Sequence, residues 1–301
     1  MRIALLSVFA ACLAGAASAQ TAPAAPAPRA VDFLFDVRGE GDLTVFLAQQ
    51  TDYQEERYVT EALVQLDFGL VSWATNRWAF RSRFALLTGM GDSVAENLPF
   101  SPKEMDYDID FYVEYRTDRL LADFGWLHTC QHLIYKDQDN PWYLEEGLNL
   151  PPDVYYNRLY AGLGRPEARR EILWQTYFGP DAAPGKSRWI WRAEAGGYLH
   201  SLGGLMDEES LSGGQDWAAD LKADLMIPLF VRRSVALFAA NRAQLLLDAD
   251  EETYWRDRLE LEAFFASRGF GFSAFLAWNA VDEHPRDSRE DLVEIGGRFF
   301  F

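Results

Sequence analysis

The chain has 301 residues, 49% of them hydrophobic and 15% aromatic, with 46 acidic against 28 basic residues and a formal charge of −18. That much apolar side chain excludes a disordered chain, and the charge excludes nucleic acid, whose phosphates would be repelled. Two cysteines, Cys12 and Cys130, are too few for a disulfide scaffold.

Taken in order, residues 1–19 carry Arg2, an apolar run from Ile3 to Leu13 and the small triplet Ala17-Ser18-Ala19. This is the layout of a cleaved export signal, too short for a lasting membrane helix. A lipid anchor on Cys12 would strand the apolar residues behind it in the mature chain, so cleavage after Ala19 is the preferred reading. Residues 20–41 follow as an N-terminal segment that starts with an Ala/Pro-rich tether.

From residue 42 to 301 the hydrophobic period is two. Ala62, Val64, Leu66, Phe68 and Leu70 share one side, and Glu61, Gln65, Asp67 and Gly69 the other. Trp78, Phe80, Phe84 and Leu86 oppose Arg77, Arg81 and Arg83, while Tyr107, Ile109, Phe111, Val113 and Tyr115 oppose Asp108, Asp110, Glu114 and Arg116. Leu259, Leu261, Ala263 and Phe265 oppose Arg256, Arg258, Glu260 and Glu262. Segments of about ten residues with this alternation are the signature of a transmembrane β-barrel. A soluble sandwich alternates too. The ending separates them, because Val293, Ile295, Phe299 and Phe301 form an apolar face that closes on a C-terminal Phe, which resembles the last strand of Gram-negative outer-membrane barrels.

Strand-like stretches begin near 43, 58, 77, 105, 120, 153, 188, 216, 234, 253, 269 and 291. Twelve is even, as a barrel with both ends on the periplasmic side requires. Residues 166–178 break the alternation and follow Pro166, so they are expected to form a short periplasmic helix. The expected fold is all-β, a twelve-stranded antiparallel transmembrane barrel in the outer membrane.

The strand from Leu120 rises from the short turn Thr117-Asp118-Arg119 towards a long extracellular loop. Along it Ala122, Phe124, Trp126, His128 and Cys130 face lipid, and Asp123, Gly125, Thr129 and Gln131 face the bore. On the next strand Asn157, Leu159, Ala161 and Leu163 face lipid, whereas Arg158 and Tyr160 face the bore. Three polar residues, His128, Cys130 and Asn157, thus share an outer wall on neighbouring strands, where cross-strand side chains meet. Nucleophile, base and orienting amide form a constellation for acyl transfer, with Cys130 attacking an ester carbonyl, His128 handling the proton and Asn157 holding the imidazole.

The residues Pro99-Phe100, Tyr107 to Tyr115, His128-Thr129-Cys130 and Asn157-Arg158-Leu159-Tyr160 resemble outer-membrane phospholipase A, and a weaker likeness extends over Val45 to Leu70. That family is a twelve-stranded barrel whose His-x-Ser and Asn act on lipid esters from the barrel exterior. The resemblance implies a hydrolase of membrane phospholipid at the outer leaflet, with calcium as cofactor and a homodimer whose partner wall completes the substrate groove. It assigns His128 as base, Cys130 as nucleophile and Asn157 as the third member. This chain departs from the family at Cys130, which stands for Ser, and at Gln131-His132, which replace the Asn-Gly of the oxyanion hole. Asp137 and Asp139 are candidate calcium ligands.

Other readings of the same residues stand beside this one. His128 also fits an interfacial histidine among belt aromatics, and Cys130 a small apolar filler. His128, Cys130 and His132 at alternate positions suit a zinc or copper site, although they spread over about 13 Å of strand. Trp142, Tyr143, Tyr155 and Tyr156 read as girdle residues, and His200 and His284 support nothing specific. The charged inner residues either line a pore or, in so narrow a barrel, cross-link into a filled interior. The alternative function is a catalytically inactive structural or channel-like barrel.

Overall fold

The computed structural model describes residues 32–48, 60–73, 77–93, 98–133, 154–179, 188–199, 217–267, 270–284 and 289–301. The export signal at 1–19 lies outside them. The strands are β1 Asp32–Ala48, β2 Thr60–Trp73, β3 Trp78–Ser93, β4 Leu98–Arg116, β5 Leu121–Leu133, β6 Val154–Gly164, β7 Ile190–Tyr198, β8 Trp217–Val231, β9 Val235–Asp248, β10 Thr253–Phe265, β11 Gly271–Asp282 and β12 Val293–Phe300. Each pairs antiparallel with its chain neighbours, and β1 pairs with β12 from Glu40↔Phe300 to Ala48↔Val293, closing the barrel. Phe301 and Gly39 exchange both backbone hydrogen bonds at 3.0 Å, which seals the last rung. Closure satisfies every ladder, the condition for a sheet to cross hydrocarbon.

Ten of the expected strand starts fall within two residues of those observed; β1 and β4 begin earlier, at Asp32 and Leu98. Residues 32–41, set aside above as part of the N-terminal segment, belong to β1. Gly39 and Gly41 blank its outer face where apolar side chains were sought, and at Gly39 a Cβ would overlap the Phe301 ring. β4 was shortened by Pro99 and Pro102, which lie on a stretch where β3 and β4 slip register twice.

The two faces divide as the period requires. Leu43, Val64, Phe124, Leu261, Ile295 and Phe299 point outward, with Phe124 56% and Phe299 50% exposed. Around them runs a belt of exposed Leu, Val, Ile, Phe and Trp that no water-soluble surface would carry. A closed barrel with this exterior sits in the Gram-negative outer membrane. No helix among the described residues is long and apolar enough to cross a membrane.

The bore is filled by charge. Arg158 bridges Glu194 and Asp220, both at 2.7 Å, and Arg192 holds Asp123 at 2.9 Å. Arg298 spans Glu260 at 2.6 Å, Glu262 at 3.0 Å and Asp42 at 2.9 Å. Buried carboxylates tolerate this environment because guanidinium forks pair with them and satisfy their lone pairs. The filled-interior expectation fits Arg81, Arg83 and their acidic partners. Arg77 precedes β3 in an exposed turn, outside the strand itself.

Between β6 and β7 a 3-10 turn, Pro166–Ala168, leads into helix α1, Arg170–Phe178. Pro166 fits the first turn, where no amide hydrogen is needed. The helix does more than lie in the periplasm. Leu173 and Tyr177 pack into the barrel mouth on Ile190, Met226, Ala236, Phe238, Phe264 and Phe300. Trp174 Nε1 donates to the Phe265 carbonyl at 3.0 Å. Burying each of those two side chains contributes roughly 1.5–3 kcal/mol, so α1 is a fixed stopper.

Candidate active site on the outer wall

β5 and β6 are in register with His128 opposite Asn157, Cys130 opposite Tyr155 and Leu127 opposite Arg158. On its other side Cys130 pairs with Tyr107 of β4. Inward-facing residues of the hairpin find partners in the bore: Thr129 Oγ1 donates to Asp108 at 2.6 Å, Gln131 Nε2 to Asp106 at 3.3 Å and the Tyr160 hydroxyl to Asp110 at 2.8 Å. Those bonds fix the register, and a one-residue slip would turn His128 and Cys130 into the barrel.

On the outer wall His128 Nδ1 lies 3.1 Å from Asn157 Oδ1. Since a carboxamide oxygen only accepts, Nδ1 carries the proton and Nε2 is left as the basic nitrogen. The imidazole is wedged as well as bonded. Its ring stacks on Trp126 at 6.0 Å and 24°, and Trp126 stacks on Phe111 at 6.1 Å and 12°. An aromatic row along β4 and β5 therefore sets the ring plane while Asn157 sets the tautomer.

Cys130, which is in no disulfide, lies two residues beyond His128 on the same face, about 7 Å along the strand. Cys130 and Asn157 are each 8% exposed, so the site is packed into the wall instead of standing proud of it. The side chain of Gln131, next to the thiol, is turned into the bore and offers nothing to an oxyanion outside.

The side chains of His132 and Tyr155, and all of Asp137, Asp139, Trp142, Tyr143 and His200, lie outside the described residues. Among the residues described, no group of three or more His, Cys, Asp or Glu is placed to hold a metal ion. Tyr156 is a correction to the girdle reading. It faces the bore and lines a cavity there with His284, whose ring is tilted by 39° against Trp217 at 5.3 Å. Its even number on β6 gives it the same side as Arg158, so the strand period held that answer.

A second polar pair lies on the outer wall. Asn241 of β9 donates to Asp257 of β10, and the neighbours of Asp257 on its own face, Trp255 and Leu259, are exposed. The signal was present, because Asp257 interrupts the apolar parity of Trp255, Leu259 and Leu261. The flanking Arg256 and Arg258 made the whole run look like a charged face.

No family model matches the sequence, and no curated protein does. Among solved structures the chain is similar to outer membrane phospholipase A from Escherichia coli, at 13% identity over 88% of this chain and 92% of that one, with a TM-score of 0.47. It is similar to the outer membrane phospholipase dimer of Salmonella typhi with bound calcium, at 12% identity over 92% and 93% of the two chains and a TM-score of 0.46. LpxR from Salmonella typhimurium matches at 9% identity over 88% of this chain and 99% of its own, with a TM-score of 0.43. What these structures share with the chain is the architecture of an outer-membrane barrel.

Proposed function

We propose that this barrel is a thiol-dependent acyl hydrolase that cleaves phospholipid esters at the outer leaflet. The observation that carries the reading is the 3.1 Å bond between His128 Nδ1 and Asn157 Oδ1 on a lipid-facing wall, with the Cys130 thiol, in no disulfide, two residues along the same strand. A bonded, stacked histidine has little structural purpose against hydrocarbon, where polar groups cost free energy.

In this reading His128 Nε2 takes the Cys130 proton as the sulfur attacks the acyl carbonyl, and gives it to the glycerol oxygen as the lysolipid leaves. Water then loses a proton to the same nitrogen and attacks the thioester carbon. The C–S bond breaks, the fatty acid departs and the sulfur recovers its proton. Asn157 holds the imidazole throughout. Membrane phospholipid is the substrate, and a second copy of the chain against the same wall is the partner that would cover its acyl chain. Calcium enters only by resemblance, with Asp137 and Asp139 as its candidate ligands, and no step above runs through it.

The test is fatty-acid release from phospholipid in mixed micelles by the purified, folded chain. Release that disappears in Cys130→Ala and after thiol alkylation is the expected result. A folded protein that releases none sinks the proposal and leaves the structural barrel.

A further inference from the structure

The two ends of the barrel present opposite charge to the surrounding membrane. At the extracellular end the turn between β9 and β10 exposes Asp250, Glu251 and Glu252. At the periplasmic end, which α1 stoppers, Arg188 leads into β7 while Arg232 and Arg233 stand in the turn between β8 and β9, all three exposed. Among the described residues no carboxylate pairs with any of these arginines. The Arg232 guanidinium lies 5.5 Å over the Phe230 ring, which holds it at the level of the exposed aromatics. The wall just inside the charges is apolar. Trp189 is 65% exposed, and Trp191 follows it on the same face of β7, also exposed. Next to them β8 slips register against β9 between Pro228 and Phe230, so that the consecutive residues Leu229 and Phe230 both stand exposed.

We propose that this rim of β7, β8 and β9 is a binding surface for an anionic phospholipid of the inner leaflet. Exposed tryptophans settle at the headgroup level of a bilayer, and guanidinium groups beside them bond phosphate oxygens through two N–H donors at once. The headgroup meets Arg188, Arg232 and Arg233, and the acyl chains run down over Trp191, Leu229 and Phe230. A zwitterionic lipid offers the same phosphate and the same chains but brings an ammonium that the arginines repel, so net charge is what the surface selects. The acidic turn at the opposite end repels the same lipid, which confines the preference to one leaflet. The surface needs neither Cys130 nor its chemistry.

Native mass spectrometry of the purified barrel in detergent, offered equal amounts of dioleoylphosphatidylglycerol and dioleoylphosphatidylcholine, tests this. The two lipids share their chains and differ in net charge. Retention of the anionic lipid should exceed that of the zwitterionic one by about tenfold or more, since each arginine near an anionic headgroup is worth about fivefold in affinity. Arg232→Gln should lower the preference about fivefold, and replacing Arg188, Arg232 and Arg233 together with Gln should bring it to parity. Arg119→Gln, on a periplasmic turn where Asp118 stands beside it, should leave the preference as it was. Ser234→Arg adds a cation at an exposed position of the β8–β9 turn and should strengthen it, so the test does not hang on loss alone. Equal retention of the two lipids by the unaltered chain, a preference that survives the triple Gln variant, one that Arg119→Gln lowers as much, or one that Ser234→Arg leaves unmoved would overturn the proposal.

Discussion

Arg169 and Arg170 are adjacent in the chain and part company inside the barrel. Arg169 reaches Glu114 at 2.8 Å and Asp67 at 3.3 Å, and donates to the Tyr112 hydroxyl at 3.0 Å. Arg170 reaches Glu262 at 3.1 Å and Glu260 at 3.4 Å, on the opposite arc. Two consecutive side chains thus tie α1 to β2 and β4 on one hand and to β10 on the other. Replacing both with Ala takes one cation from each buried cluster, although Asp67 keeps Arg81 and Glu260 and Glu262 keep Arg298; breaking a buried pair costs about 3–5 kcal/mol. The double variant should unfold at lower temperature in heat-modifiability gels and raise single-channel conductance in planar bilayers. Unchanged conductance and stability would mean that α1 is not the stopper.

At the outer wall, the roles assigned to the polar residues separate by magnitude. Loss of the general base in His128→Ala should slow fatty-acid release by about 10²–10⁴-fold. Asn157→Ala removes only the group that orients the ring, so its loss should be smaller. Asn157→Asp, which keeps an acceptor for Nδ1, should recover part of it. Equal and total loss in all three, with barrels that fold, would show that Asn157 holds the wall together and not the imidazole.

Calcium is decided by chelation. If the resemblance extends to the cofactor, release should fall when EDTA is added and return with excess calcium, with the heat-modifiable band unchanged. Activity indifferent to both would remove calcium from the mechanism and leave His128, Cys130 and Asn157 to work alone.

The pair Asn241–Asp257 gives a stability prediction of unusual sign. A carboxylate on the lipid face is unfavourable by an amount that depends on depth. Asp257→Leu should therefore stabilise the barrel in urea unfolding from lipid vesicles, by roughly 1 kcal/mol. Destabilisation would show that the bond Asn241 makes to Asp257 joins β9 to β10 more strongly than lipid penalises the charge.

Period two made most of this architecture readable, because each strand crosses one boundary between grease and charge. It placed His128, Cys130 and Asn157 on one wall, and His128 and Asn157 do face each other across the hairpin. It failed where the outer face lacks side chains, as at Gly39 and Gly41, and where prolines mask a strand, as in β4. It also could not say which bore charges meet. Arg298 and Glu260 lie two strands apart, and their contact depends on the curvature of the closed sheet. The inward swing of α1 was hidden for the same reason, since the acids that Arg169 and Arg170 seek converge only after closure.

That convergence has a bearing on how the molecule is built. The seam where β1 meets β12 is crowded on its inner side with Glu40, Asp42 and Glu294, and Glu260 and Glu262 stand close by on β10. Arg298 from the last strand, Arg258 and Arg242 from β10 and β9, and Arg170 from mid-chain relieve the crowd, the last of them 3.9 Å from Glu40. The stopper is therefore also a part of the seam, since it brings there a positive charge that neither closing strand carries.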